Sequence, residues 1–141
     1  MKIKTFLILF LILFLLTSCI TKIDVNKVRE FADPIVENLL ISRNEKDYER
    51  YSKDFSDEMK RVVTKEKFLE SINLIEGKIG KYIVGSKELY AAIKQKNYII
   101  VTYKAKFTNE TSDVIIRIVF EEINGEMKVS GEWFDSPKLR K

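Results

Sequence analysis

The chain has no histidine among its 141 residues and a single cysteine. Without histidine, Ser-His-Asp and Cys-His catalytic sites, the HExxH zinc site and imidazole acid–base chemistry are all excluded. Two prolines and five glycines are too few for a long flexible linker, and the sequence contains no glycine-rich phosphate loop. The composition therefore favours one domain of ordinary size without a familiar catalytic centre.

Carboxylates are the remaining candidates for metal ligands. Asp54, Asp57 and Glu58 lie close together in the chain, but the stretch lacks the glycine and the terminal glutamate of an EF-hand loop. Acidic residues at a helix N-terminus, where they complement the helix dipole, explain the stretch more simply. We predict neither a metal site nor a cofactor.

The net charge is small once the start of the chain is set aside. Residues 1–18 contain two lysines and no acidic residue. The rest of the chain holds 23 basic and 21 acidic residues, which leaves a net charge of +2. Nucleic-acid-binding proteins usually concentrate far more positive charge, so we predict no nucleic-acid partner.

Residues 6–16 form an unbroken run of eleven apolar residues. A membrane-spanning helix needs about 20 such residues, whereas the apolar region of a secretory signal peptide has about 7–15. Lys2 and Lys4 supply the positive charge that precedes this region in signal peptides. The segment is therefore predicted to be a signal for export.

The run ends in Leu16-Thr17-Ser18-Cys19, which resembles the lipobox of bacterial lipoproteins. The resemblance implies cleavage between Ser18 and Cys19, with a diacylglyceryl group joined to the Cys19 thiol and acylation of the new amino group. Two or more acyl chains hold a protein stably at a membrane. The alternatives are an ordinary cleaved signal with an unrelated cysteine, or an uncleaved anchor helix.

This interpretation divides the chain into a signal peptide (1–18), a lipidated cysteine with a short tether (19–23) and one domain (24–141). Lipidation would consume the only thiol, so the domain would have no disulfide. Ile20 follows the cysteine where an aspartate would resemble the inner-membrane retention signal, which favours the outer membrane in a two-membrane bacterium. We expect an exported protein held at the cell membrane or outer membrane through Cys19.

An apolar stripe with helical spacing predicts a helix over residues 24–43, capped by Asp24. Pro34 lies within it and either kinks the helix or begins a second one capped by Asp33. Asn44 is a plausible left-handed stop. The stripe consists of Val25, Val28, Phe31, Ala32, Ile35, Val36, Leu39 and Leu40.

Further helices are predicted over 46–52, 56–63 and 65–76, the last capped by Thr64 and ended by Gly77. From Gly80 onward the apolar period changes to two, and Asn124-Gly125 is a strong hairpin signal. The predicted strands are 81–93 with a bend at Gly85, 97–108, 113–122 and 126–134. Helices followed by a four-stranded antiparallel meander with one apolar face predict an α+β domain.

This order of elements resembles the nuclear-transport-factor-two-like fold, a cystatin-like cone in which helices pack into a curved sheet. Within that fold the chain is similar to a family of small exported domains of unknown function. The matching stretches are "NEKDYERYSKDFSDEMK" (44–60), "GKIGKYIVGS" (77–86), "YKAKF" (103–107) and "SGEWFDSPKL" (130–139). The resemblance spans about 30–140 and implies no catalytic residues.

A cone of this kind can enclose a carboxylate that acts as a base. Glu88, Glu132 and Asp135 are the carboxylates nearest apolar or aromatic residues of the predicted sheet. An inward Glu132 would have a raised pKa. Strict alternation predicts the opposite, because it puts Val129, Gly131 and Trp133 on one face and leaves Glu132 on the solvated face.

Lysines and tyrosines interleave along the first predicted strands. We interpret the lysines as an outer sheet face that discourages edge pairing, with contact to anionic head groups or cell-wall polymer as the alternative. Tyr82, Tyr90 and Tyr103 are candidate contact residues. The lysines are Lys81, Lys87, Lys94, Lys96, Lys104 and Lys106.

Trp133 and Phe134 are adjacent and should point to opposite faces of the last strand. One of the two rings should therefore lie off the main core. It would pack against the C-terminal tail or a helix edge, or form an aromatic patch for a partner.

Three hypotheses follow. The favoured one is a non-enzymatic, lipid-anchored module that binds a small apolar ligand or an envelope protein. The second is a small enzyme with a carboxylate in its pocket. The third is an interaction module that forms a homodimer through its sheet.

Overall fold

The computed structural model describes residues 23–141. The predicted signal peptide, the cleavage position at Ser18 and the lipidated Cys19 lie outside the described residues. No helix within residues 23–141 is long and apolar enough to cross a membrane.

Four helices precede four strands, which confirms the α+β class and the order of elements predicted from the sequence. The helices α1 to α4 span Val25–Glu45, Tyr48–Ser52, Asp57–Val62 and Lys65–Ile79. The strands β1 to β4 span Glu88–Gln95, Tyr98–Ala105, Val114–Ile123 and Glu126–Asp135. The strands form one antiparallel sheet in the order β1-β2-β3-β4, so β1 and β4 are its edges.

Each helix begins at a side chain that accepts a hydrogen bond from a backbone N–H of its first turn. The four caps are Asp24, Asp47, Ser56 and Thr64. Such caps satisfy N–H groups that have no partner inside the helix. The caps of α1 and α4 are the ones predicted from the sequence.

Helix α1 is continuous through Pro34, which decides between the two alternatives left open by the sequence in favour of a single helix. The prediction that Asn44 stops the helix is wrong. Lys46 takes the left-handed conformation (φ 58°). Asn44 is still helical, and its side-chain amide pairs with both backbone polar groups of Tyr82.

Two further boundaries differ from the prediction. Helix α4 passes through Gly77 and ends at Ile79, before Gly80, whose φ of 77° breaks the helical run. Strand β1 begins at Glu88 instead of residue 81, because Gly85 also has a positive φ (78°) and turns the chain. Before that turn, Tyr82 makes only an isolated bridge with Phe107.

The core lies between the inner face of the sheet and the apolar sides of α1 and α4. Its largest fully buried side chains include Leu39, Leu40, Phe55, Phe68, Tyr103, Ile116, Ile118 and Phe120. These buried side chains all lie beyond residue 23, so a chain that begins at Ile20 keeps all of them.

Candidate functional site

A β-bulge in β4 sets the direction of the residues that follow it. Phe120 pairs with Val129, but the preceding residue, Val119, pairs with Gly131, so Ser130 is extra in β4. One extra residue reverses the alternation of side chains along the rest of the strand. Glu132 therefore pairs with the inward-facing Ile118 and points into the cone.

The inward direction of Glu132 overturns the expectation that it lies on the solvated face. Its side chain is only 8% exposed. Its Oε2 oxygen accepts a hydrogen bond from the Tyr51 hydroxyl and lies 3.5 Å from Nη1 of Arg43. A buried carboxylate is thus held by a neutral hydroxyl and a guanidinium from two different helices.

Arg43 is buried as well, with 9% of its side chain exposed. Its Nη2 donates to Ser71 Oγ at 3.3 Å, and its Nη1 donates to the Tyr51 hydroxyl oxygen at 3.4 Å. The guanidinium carbon lies 4.8 Å from the centre of the Phe134 ring, a cation–π distance. These contacts link α1, α2, α4 and β4 around one charge.

Tyr51 acts as a hydrogen-bond donor in this cluster. Burial, and then the negative charge of Glu132, raise the pKa of its hydroxyl far above the usual value. Its ring packs against Phe55 and Phe68, at centroid distances of 4.8 and 4.4 Å. The hydroxyl therefore stays protonated and is held at a fixed position.

One oxygen of the cluster has no hydrogen-bond donor among the described residues. Oε1 of Glu132 is shielded from solvent and makes no hydrogen bond within residues 23–141. Buried polar atoms are almost always paired, and an unpaired one costs about 1–3 kcal/mol. The carboxylate therefore retains the capacity to accept a further hydrogen bond.

An open cleft of about 490 Å³ lies over this cluster. Arg43, Tyr51, Ser71 and Glu132 contribute the polar part of its lining, and Lys67 adds a further positive charge. The other lining residues are apolar: Met59, Val62, Val63, Leu74, Ile75, Trp133, Phe134 and Leu139. Small-molecule sites are typically concave, mostly apolar and about 300–1,000 Å³ in volume, so the cleft has the size and character of such a site.

Trp133 and Phe134 point to opposite faces, as the alternation of a strand requires. Phe134 faces inward, where it packs edge-on against Phe107 at 6.3 Å. Trp133 is 48% exposed and its ring lies 5.0 Å from the guanidinium of Arg117 on β3. Both residues line the cleft, and together with Glu132 they are the sequence-derived candidates that the fold brings together.

Tyr82 and Tyr103 lie in a second polar cluster that does not line this cleft. Both are buried, and their hydroxyls hydrogen-bond to Glu37 and Asp33 on α1. The same two carboxylates lie 3.5 and 4.0 Å from the Lys87 ammonium, whose side chain is nearly buried. Lys87 is therefore not part of an outer lysine face, and this network holds the residue 81–87 loop against α1.

The remaining candidates lie elsewhere on the surface. Glu88 is exposed on the edge strand β1. Tyr90 is exposed and lies under the Lys104 ammonium, 3.8 Å from the ring centre. Asp135 forms two hydrogen bonds with Arg140 in the C-terminal tail, and the Arg140 guanidinium holds the pKa of that carboxyl below its usual value.

The sequence analysis missed Arg43 and Tyr51. A signal for Arg43 was present, because it lies four residues after Leu39 and three after Leu40, on the line of the α1 apolar stripe. A signal for the bulge was Gly131, since an isolated glycine inside a strand pattern often marks one. Tyr51 gives no comparable signal, because its role depends on a contact 81 residues along the chain.

The fold defines a class: an α+β domain in which helices cover one face of a four-stranded antiparallel meander. The chain belongs to the family described as "Protein of unknown function (DUF3887)", whose profile matches residues 32–131. Among solved structures, a protein whose printed name includes NTF2 and five substitutions is 15% identical to this chain. It aligns with a TM-score of 0.49 over 79% of this chain and 100% of its own. A search of curated proteins found no match.

Proposed function

We propose that this protein is a lipid-anchored binding module at the cell envelope, whose cleft holds a small apolar ligand. The observation that carries the proposal is the cleft of about 490 Å³, with apolar walls and a buried Arg43–Glu132 pair in its lining. Burying such a pair gains little stability compared with an apolar core. Its place beside an open cleft is better explained by recognition of a ligand.

The anchor is supported by the lipobox-like sequence that ends at Cys19. Four residues of tether reach roughly 14 Å when extended, so the start of α1 would stay close to the membrane. Arg43 lies eighteen residues beyond Val25 on the same helix, or about 27 Å along its axis. The cleft would therefore lie at the end of α1 far from the anchor, where it can take ligand from the aqueous phase.

A small enzyme is the second candidate, and the burial of Glu132 is the observation in its favour. A base in a pocket usually works with donors aimed at the charge that develops on the substrate. Here the Tyr51 hydroxyl and the Arg43 guanidinium are directed at Glu132 itself. This geometry suits a fixed recognition group better than a base that must exchange protons with a substrate.

The anchor is tested by expressing the full-length chain in a bacterium fed an alkyne-labelled palmitate. We expect label and membrane fractionation for the natural chain, and loss of both for Cys19→Ser. Ser18→Ala is the matched control, because it keeps a small residue before the cysteine. Equal labelling of natural chain and Cys19→Ser would overturn the anchor.

Ligand binding is tested with residues 20–141 and the neutral fluorescent probe N-phenyl-1-naphthylamine. We expect saturable binding that is at least tenfold weaker for Leu74→Lys, because Leu74 is an exposed residue of the cleft wall. Val84→Lys is the control, since Val84 is equally exposed (62% against 63%) but does not line this cleft. Equal loss in both variants, or no saturable binding, would contradict the proposal.

A further inference from the structure

Glu132 presents one occupied and one unoccupied oxygen, and the difference indicates what the cleft can recognise. Oε2 is held by Tyr51 and Arg43, whereas Oε1 has no donor among the residues that the structure describes. A carboxylate oxygen can only accept hydrogen bonds unless it is protonated. A ligand that completes this site must therefore bring a hydrogen-bond donor.

The buried hydroxyl groups of the lining have partners of their own. The Ser71 hydroxyl donates to the Phe68 carbonyl at 2.8 Å and accepts from Arg43. The Tyr51 hydroxyl donates to Glu132. Among the buried side-chain polar atoms within residues 23–141, the Glu132 Oε1 oxygen is the one that lacks a partner.

The charges around the cleft select against a charged head group. Glu132 is already paired with Arg43, and Lys67 adds a further positive charge to the lining. An ammonium group would approach both cations, and a carboxylate would bring a second negative oxygen to Glu132. A carboxylate also has no hydrogen to donate to Oε1, and beside this shielded oxygen its repulsion from Glu132 is poorly screened.

We propose, resting on the binding function proposed above, that the ligand is an uncharged apolar molecule whose single donor, a hydroxyl or amide N–H, binds Oε1 of Glu132. Because Oε1 is closed to solvent, the donor reaches it by entering between lining side chains. Met59 lies in the same lining, and methionine is the side chain that adapts most readily to a new neighbour.

Four probes of similar length separate the head-group chemistries: 1-decanol, decyl methyl ether, decanoate and decylammonium. Displacement of N-phenyl-1-naphthylamine from residues 20–141 at pH 7 measures the affinity of each probe for the cleft. A hydrogen bond to a charged group contributes more binding free energy than one between neutral groups, so we expect decanol to bind at least tenfold more tightly than the ether. Decanoate and decylammonium should also bind at least tenfold more weakly than decanol.

Glu132→Gln tests whether the preference depends on this carboxylate, with Glu88→Gln on the exposed edge strand as the matched control. We expect the preference for decanol over the ether to fall below threefold in Glu132→Gln and to persist in Glu88→Gln. If Glu132→Gln does not fold, the four probes on the natural chain still decide the question.

Equal affinity for decanol and the ether, or tighter binding of either charged probe, would overturn the donor proposal while leaving an apolar binding cleft in place. Failure of all four probes to displace N-phenyl-1-naphthylamine would instead contradict the binding function itself.

Discussion

The hydroxyl of Tyr51, on the short helix α2, donates a hydrogen bond to the carboxylate of Glu132 on the last strand. The two residues are 81 positions apart in the chain, and Arg43 contacts both of them. This relationship joins the helical half of the domain to the edge of the sheet at the cleft.

Replacement of Arg43 by methionine should destabilise the domain strongly. The change leaves the buried Glu132 carboxylate without its cation, and breaking a buried ion pair by removing one partner costs about 3–5 kcal/mol. Urea unfolding followed by circular dichroism measures the change in the free energy of unfolding. The control is Arg61→Met, because the Arg61–Glu58 pair is largely exposed and should contribute less than about 1 kcal/mol. Similar losses in the two variants would contradict the buried pair.

Tyr51→Phe removes only the hydroxyl that donates to Glu132. Because the acceptor is a carboxylate, we expect a loss of about 1.5–3 kcal/mol in the free energy of unfolding. A double-mutant cycle with Glu132→Gln should give a coupling energy of at least about 1 kcal/mol. Additive losses would mean that the two side chains act independently, and Tyr98→Phe at an exposed position should change stability little.

Phe134→Ala and Trp133→Ala test the side-chain directions that follow the bulge. Phe134 faces the core and contacts the Arg43 guanidinium, so its truncation should cost about 2–3 kcal/mol, less than for a fully buried ring. Trp133 is half exposed, and its loss should cost about 1 kcal/mol. The reverse order of the two losses in urea unfolding would contradict the inward direction of Phe134.

The stability of the domain should fall at alkaline pH, in part through Tyr82. Burial, and then the hydrogen bond to Glu37, raise the pKa of Tyr82 to about 12, whereas an unfolded tyrosine ionises near pH 10. Between these values the unfolded chain loses a proton that the folded chain keeps, so the free energy of unfolding decreases as pH rises. The stability that the protonated Tyr82 hydroxyl contributes is fully present below about pH 10 and is lost as the pH approaches 12.

The test compares urea unfolding of the natural chain and Tyr82→Phe at pH 9 and pH 11. The natural chain should lose more stability between the two pH values than the variant does. At pH 9 the variant should be less stable by about 1 kcal/mol, because it lacks the hydroxyl that bonds Glu37. Parallel losses in both chains would show that Tyr82 does not titrate as expected.

The fold was predictable because its signals are local. Caps such as Thr64, the apolar stripe of α1 and the Asn124-Gly125 turn each specify structure within a few residues. The end of α4 and the start of β1 were predicted wrongly, because they depend on tertiary contacts and on which glycine takes a positive φ.

The lining of the cleft was less predictable, because the one extra residue in β4 decides which side chains face the cleft. Without the extra Ser130, alternation would turn Glu132 to solvent and Trp133 to the core. Likewise, Arg43 occupies a buried position on α1 where the helical spacing of the apolar stripe predicts an apolar residue. Its stabilising partners come from α2, α4 and β4, and no local pattern specifies that combination.

The cleft beside Glu132 is the proposed ligand site. The most direct test is a ¹H–¹⁵N NMR titration of residues 20–141 with N-phenyl-1-naphthylamine. We expect saturable shifts centred on Ser71, Leu74 and the backbone N–H of Phe134, with little change at Val84. Shifts centred on the outer face of β1 and β2, or no saturable shift, would contradict it.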